Sequence, residues 1–284
     1  MLIGDVMPII SELSTLPYHN IDPEIFRWKF IVIRWYSVAY IMGLFYVWWG
    51  LGKLADAKDA PMTRLHTEDY LLWATLGIIL GGRLGYVLFY NFGFYLENPS
   101  QILVVWQGGM SFHGGFLGVI VASIMFVKRN GISFLRFADQ MALVSPVGIG
   151  LVRVANFING ELWGKPSTLP WAMPFPTGGP EPRHPSQLYE AMLEGVLLFI
   201  ILRWLYTKTE ARKYPGLLAG LFTLGYGLSR YAVEFVREPD AHLGKLFDII
   251  SMGQILSLPM ILIGAYFVKR ALDLGPQKLQ KKRN

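Results

Sequence analysis

Arg230, Glu234 and Arg237 stand at i, i+4 and i+7, so a helix places all three on one face. Arg153 and Asn156, at i and i+3, share a face of their own. These residues lie within or at the border of long apolar runs, where charged side chains are costly and mark function. Other polar groups border the same runs: Arg83 in Gly-Gly-Arg-Leu-Gly-Tyr, His113 in Met-Ser-Phe-His-Gly-Gly, and Asn159 and Glu161 after Arg153. His184, Gln187, Tyr189 and Glu190 form a further group, Tyr226 precedes Arg230 by four residues, and Tyr36 lies beside Arg34. Guanidinium groups offer planar, bidentate sites for phosphate. Glu234 alone does not neutralise Arg83, Arg153, Arg230 and Arg237. Glu161, Glu190 and Glu194 are the nearest further acids, so a net positive pocket is expected, suited to an anionic phospholipid headgroup.

His113 reads either as a hydrogen-bonded histidine at a helix start or as an acid–base group, its ordinary pKa being about 6.5. No His-Glu-x-x-His pattern or comparable cluster is present, so no metal site and no cofactor are expected. The chain has no cysteine, which excludes disulfides, thiolate metal sites and a cysteine nucleophile of its own.

The elements that must carry these residues are membrane helices. Of 284 residues 53% are hydrophobic and only 16% charged, against about 25% charged in soluble domains. The mean hydropathy is +0.37. A spanning helix needs roughly 20 apolar residues, and about seven such runs centre near Ile41, Ile79, Val119, Val147, Leu198, Phe222 and Ile261. The reading is an all-α integral membrane protein, one polytopic domain over 1–284. Glycines crowd the second to fourth runs, as in Gly81, Gly85, Gly114 and Gly118, where they read as close helix packing. The N-terminus lacks a basic start and carries Asp5 and Glu12, so it does not read as a signal peptide; Val6 to Leu16 reads as a short interfacial helix.

Lys and Arg concentrate after the first, third and fifth runs and in the tail, as in Lys53, Arg64, Lys128, Arg129, Arg203, Lys208 and Lys281. The stretch from Asn91 to Ser111 has none. Positive loops stay cytoplasmic, which predicts an outer N-terminus and a cytoplasmic C-terminus. This charge belongs to topology and argues against nucleic-acid binding, although the formal net charge is +6. With that orientation every bordering polar residue falls in the outer half of the membrane. Region 159–186 then forms a small extracytoplasmic cap, too rich in Pro and Gly for a regular helix or central strand. A transporter or flippase for an anionic lipid is the alternative, but it calls for polar groups through the full depth and for internal repeats, neither of which is visible.

The run Arg153 to Gly164, Arg-Val-Ala-Asn-Phe-Ile-Asn-Gly-Glu-Leu-Trp-Gly, resembles the signature of bacterial phosphatidylglycerol–prolipoprotein diacylglyceryl transferases. So do Gly108 to Gly115, Arg183 to Glu190 and Arg230 to Asp240, while Gly81 to Tyr90 looks like that family's second span. The matches run in family order from about Tyr36 to the seventh span. The resemblance implies a seven-span enzyme of the bacterial plasma (inner) membrane with its site toward the periplasmic face. It implies transfer of diacylglyceryl from phosphatidylglycerol to the lipobox cysteine of a prolipoprotein signal peptide. Carried over by position, Arg153 looks like the family's lipid-binding arginine, Arg230 like its second essential arginine, and His113 like the histidine of its His-Gly-Gly motif. Tyr36, Asn156, Glu161, Gly164, Tyr226 and Glu234 match other positions linked to activity, and Arg237 is added as substrate-binding. Glu234 and His113 are the candidate bases. Ala155 departs from the glycine usual there, adding one methyl at a helix contact.

Overall fold

The computed structural model describes residues 16–19, 21–29, 31–57, 59–238, 245–246 and 250–278. The expected helix from Val6 to Leu16 lies outside these residues except for Leu16. In chain order the elements are β1 (Glu24–Trp28), β2 (Ile31–Arg34), α1 (Trp35–Ala55), α2 (Arg64–Phe89), α3 (Phe92–Glu97), α4 (Phe112–Arg129) and α5 (Phe134–Ile158). Then come β3 (Met173–Phe175), β4 (Gly179–Arg183), α6 (Ser186–Glu190), a π-helical turn over Ala191–Leu197, α7 (Leu198–Lys208), α8 (Leu217–Val233), β5 (Lys245–Leu246), β6 (Ile250–Ser251) and α9 (Met252–Leu274). Among the described residues the strands form three antiparallel two-stranded ribbons, β1–β2, β3–β4 and β5–β6.

All seven expected centres fall in helices. Among the described residues four helices, α1, α2, α5 and α9, are long and apolar enough to cross a membrane. They turn large apolar side chains outward, as at Ile41 (66% exposed), Leu80 and Leu262, an arrangement unfavourable in water and natural in lipid. The cap region forms no regular helix. Its β3–β4 ribbon has only edges, which is where proline is tolerated in strands.

The chain divides into two compact units, 1–47 with 141–277 and 48–140 with 278–284. In the second, α2 and α4 pack through glycine: a Cβ on Gly85 would fall 2.7 Å from Gly114 Cα. Backbones this close gain dispersion contacts without relying on apolar burial, which lipid does not reward. The starts of these helices are capped. Thr63 Oγ1 accepts from the His66 N–H at 3.2 Å, and Ser111 Oγ accepts from the Gly114 N–H at 3.2 Å. In the first unit α8 packs on α9, and Ser251 and Gln254 form a reciprocal cap at the start of α9.

Candidate active site

The centre of the first unit is set by a backbone contact between α5 and the π-helical turn. A Cβ on Gly195 would fall 2.8 Å from Gly150 Cα, so no larger residue fits there unshifted. One turn along α5 from Gly150, this approach brings Arg153 onto two carboxylates. Arg153 Nη1 lies 3.2 Å from Glu190 Oε2, and its Nη2 donates to Glu194 Oε2 at 3.2 Å. The Leu198 N–H bonds back five residues to Leu193 O, the π register. Such turns concentrate at functional sites, and this one separates Glu190, at the end of α6, from the regular helix that follows.

Glu190 is a bridge. Its Oε1 accepts from Arg230 Nη1 at 2.7 Å while Oε2 faces Arg153, and the residue is fully buried. Arg230 reaches on to Glu234 Oε2 at 2.8 Å, and Arg237 lies 3.8 Å from the same oxygen. Glu234 Oε1 accepts from Ser251 Oγ at 2.9 Å, at the start of α9, where the positive end of the helix dipole meets its charge. A Cβ on Gly253 would lie 2.5 Å from the Glu234 carboxyl carbon, so the start of α9 closes tightly on this group. Tyr226, four residues before Arg230, is an electrostatic neighbour of Arg153, Arg230, Glu190 and Glu194.

The expected net positive pocket is corrected here. Arg153, Arg230 and Arg237 face Glu190, Glu194 and Glu234, so the cluster is formally balanced. Burying unpaired guanidinium groups is too costly, and the carboxylates remove that cost while fixing the orientation of each fork. They do not consume it. A guanidinium carries five N–H donors, and Arg153 and Arg230, with side chains 16% and 14% exposed, each keep some uncommitted among the described residues.

A second group of polar residues lies one turn further along α5. Asn156 Nδ2 donates to Glu161 Oε1 at 2.8 Å, and Asn159 Nδ2 to the same oxygen at 3.3 Å. Gln187 Nε2 donates to the backbone carbonyl of Glu161 at 2.5 Å. Tyr36, its hydroxyl 3.5 Å from that of Tyr40, neighbours Asn156 and Glu161. Ala155 is buried at 2% exposure, so its additional methyl is accommodated.

Gly164 belongs to the cap. Its N–H donates to His184 O at 2.9 Å, and it bridges to Arg237 in antiparallel fashion. A Cβ there would fall 2.6 Å from both His184 Cβ and Val236 O. Arg183 locks the same region, donating to Gly164 O, Gly178 O and Glu238 Oε2 and stacking 4.2 Å over Trp163. Trp171 Nε1 donates to the Tyr189 hydroxyl at 2.7 Å, and that oxygen lies 3.2 Å from His184 Nδ1. Burial, and then nearby Lys165, hold His184 below the ordinary histidine pKa.

His113 and Arg83 lie in the other unit. His113 is exposed, in the first turn of α4 just after the Ser111 cap. Arg83 does not join a carboxylate cluster. It donates to the carbonyls of Gln101, Ile102, Val104, Gly108 and Gly109 at 2.6–3.2 Å and lies 5.1 Å over the Tyr95 ring. It is a staple for the segment leading to His113. Among the described residues no group of three metal-ligating side chains converges.

The structure thus brings together Arg153, Tyr226, Arg230, Glu234 and Arg237, and beside them Tyr36, Asn156 and Glu161. Glu190, Glu194 and Gln187 stood out in the sequence only as bordering polar groups without a site role, and Ser251 did not stand out. The signal for the first two was present as a pair of acids at i, i+4 entering an apolar run.

A family model described as prolipoprotein diacylglyceryl transferase matches residues 23–270. A phosphatidylglycerol–prolipoprotein diacylglyceryl transferase of Brucella anthropi is 52% identical over 265 residues, covering 91% of this chain and 94% of the relative. Its counterparts in Brucella ovis and Brucella melitensis are each 50% identical over the same length and coverage. At this identity and coverage, the chain belongs to the prolipoprotein diacylglyceryl transferase family.

Proposed function

We propose that this protein transfers the diacylglyceryl group of phosphatidylglycerol to the lipobox cysteine of prolipoprotein signal peptides. The observation that carries the reading is the pair of guanidinium groups, Arg153 and Arg230, tied to one buried carboxylate with N–H donors left over. That arrangement suits a phosphate that is bound and then leaves. All seven apolar helical regions cross the bacterial inner membrane in this reading, with the N-terminus outside, the C-terminus cytoplasmic, and the 159–186 cap and the site at the outer face. The domain is single and polytopic.

The chemistry is a displacement. A base takes the peptide thiol proton, since the thiolate is the nucleophile and a free thiol has a pKa of about 8.5. The sulfur attacks the glycerol carbon that carries the phosphate oxygen. The C–S bond forms as the C–O bond breaks, and glycerol phosphate departs with the electron pair. Arg153 and Arg230 hold the charge that grows on the leaving phosphate. Tyr36, Asn156, Glu161, Gly164, Tyr226 and Arg237 shape the lipid site. Glu234 is committed to Arg230 and Ser251, which favours His113 as the base.

The test is transfer to a lipobox peptide by purified variants in phosphatidylglycerol micelles. Arg153→Ala and Arg230→Ala should each lose on the order of 10²–10³-fold in rate, the usual cost of removing one transition-state donor. His113→Gln should also slow transfer strongly. Near-normal transfer by Arg153→Ala would overturn the site.

A further inference from the structure

Two amides near Glu161 end in buried oxygens that accept no hydrogen bond among the described residues. Gln187 is fully buried, and its Oε1 has no partner among the described residues. The buried Oδ1 of Asn159 is in the same state. Their orientation is not arbitrary. The NH₂ of Gln187 must face the Glu161 carbonyl and that of Asn159 must face the Glu161 carboxylate, because both targets only accept. Each carbonyl oxygen is therefore forced away from its amide's partner. Glu161 adds a carboxylate held at Oε1 by amides alone, with no ion pair among the described residues, and it is only partly buried. Beyond the second N–H that each amide keeps, the set presents acceptors without donors: Gln187 Oε1, Asn159 Oδ1 and the Glu161 carboxylate. Leaving such atoms unmade is costly, so a ligand with hydroxyl donors is what they fit.

Position says which hydroxyls. On α5, Asn156 follows Arg153 by three residues; on α6, Gln187 precedes Glu190 by three. Three residues are a rise of about 4.5 Å, so Asn156, which holds Glu161 Oε1, lies one turn from Arg153, and Gln187 lies one turn from the carboxylate that binds both guanidinium groups. A phosphate carrying a small polyol has this layout, the anion at one end and hydroxyls a few bonds on. The Glu161 carboxylate repels the anion and so fixes which end goes where.

We propose that Gln187, Asn159 and Glu161 form a subsite for the headgroup glycerol hydroxyls of the phospholipid, making this the specificity determinant of the site. The inference rests on the transferase reading above for the identity of the lipid.

The probe is phosphatidylpropanol, which keeps the phosphate and acyl chains but lacks the headgroup hydroxyls. Two readouts are taken on the full-length protein in detergent: the rise in Tm with each lipid, and kcat/KM for transfer to a lipobox peptide. Wild type should favour phosphatidylglycerol by on the order of 10²-fold in kcat/KM, with a larger Tm rise. Gln187→Met and Asn159→Ala should each shrink that ratio at least about tenfold, whatever their absolute rates. Equal use of both lipids by wild type would mean that water satisfies these oxygens and would overturn the subsite. So would variants whose ratio stays within twofold of wild type. Transfer from neither lipid would defeat the transferase reading, while the Tm difference would still decide the subsite.

Discussion

Glu190→Gln is the most informative single change, because an amide cannot bridge two guanidinium groups. The carboxylate accepts from Arg230 at 2.7 Å through one oxygen and faces Arg153 at 3.2 Å with the other. Glutamine can keep one of these. Its NH₂ then confronts the other guanidinium, donor against donor. The cluster also goes from three acids against three arginines to two against three. Removing one partner of a buried pair costs about 3–5 kcal/mol. Glu194 and Glu234 remain at 3.2 and 2.8 Å, so the lower figure applies to stability. For chemistry, a misplacement of about 1 Å costs about 10²-fold. Lipid binding should move the other way, since the variant pocket gains positive charge toward an anionic headgroup. The expected signature is a kcat lower by about 10²-fold with a KM for phosphatidylglycerol that is unchanged or lower. It is read from initial rates against lipid mole fraction in mixed micelles, with Tm measured alongside. An unchanged kcat, or a higher KM with kcat intact, would refute the bridge.

Three other outcomes follow from the geometry. Gly164→Ala places a methyl 2.6 Å from His184 Cβ and Val236 O, so it should cost about 1–3 kcal/mol by overpacking, seen as a lower Tm and weaker transfer. Arg83→Ala leaves five carbonyls of 101–109 without their donor. Hydrogen exchange over that segment should rise sharply, and unchanged protection would contradict the staple. His184 should titrate below the ordinary histidine value of 6.5. Because its folded pKa is depressed, its contribution to cap stability is complete above the unfolded pKa and is lost as pH falls through the folded one. An NMR titration of His184 giving 6.5 or higher would contradict this.

The helices were legible because apolar runs of sufficient length leave few alternatives, and all seven centres fall in helices. The pairing of Arg230 with Glu234 followed from spacing alone, but Arg237, expected on the same helical face, lies beyond the end of α8 and approaches Glu234 from the turn that follows. The charge balance was not legible. Glu190 and Glu194 sit on a segment whose register changes at a π turn, and hydrophobic periodicity does not reveal such a turn. Nor could spacing tell that Arg83, an arginine in an apolar run like the others, ends on backbone carbonyls rather than acids. Its partners come from a loop with no periodic pattern. The cap was legible only as an exclusion, since proline and glycine rule out helix but do not say which strands pair.

A product balance tests the transfer itself. Purified protein is incubated with phosphatidylglycerol vesicles and a lipobox peptide, and both peptide mass and released phosphate are followed. The expected result is a mass gain equal to one diacylglyceryl group on the cysteine sulfur, glycerol phosphate released one for one, and no gain when the cysteine is replaced by serine. No gain on the cysteine peptide, or a gain that retains the phosphate, would contradict it.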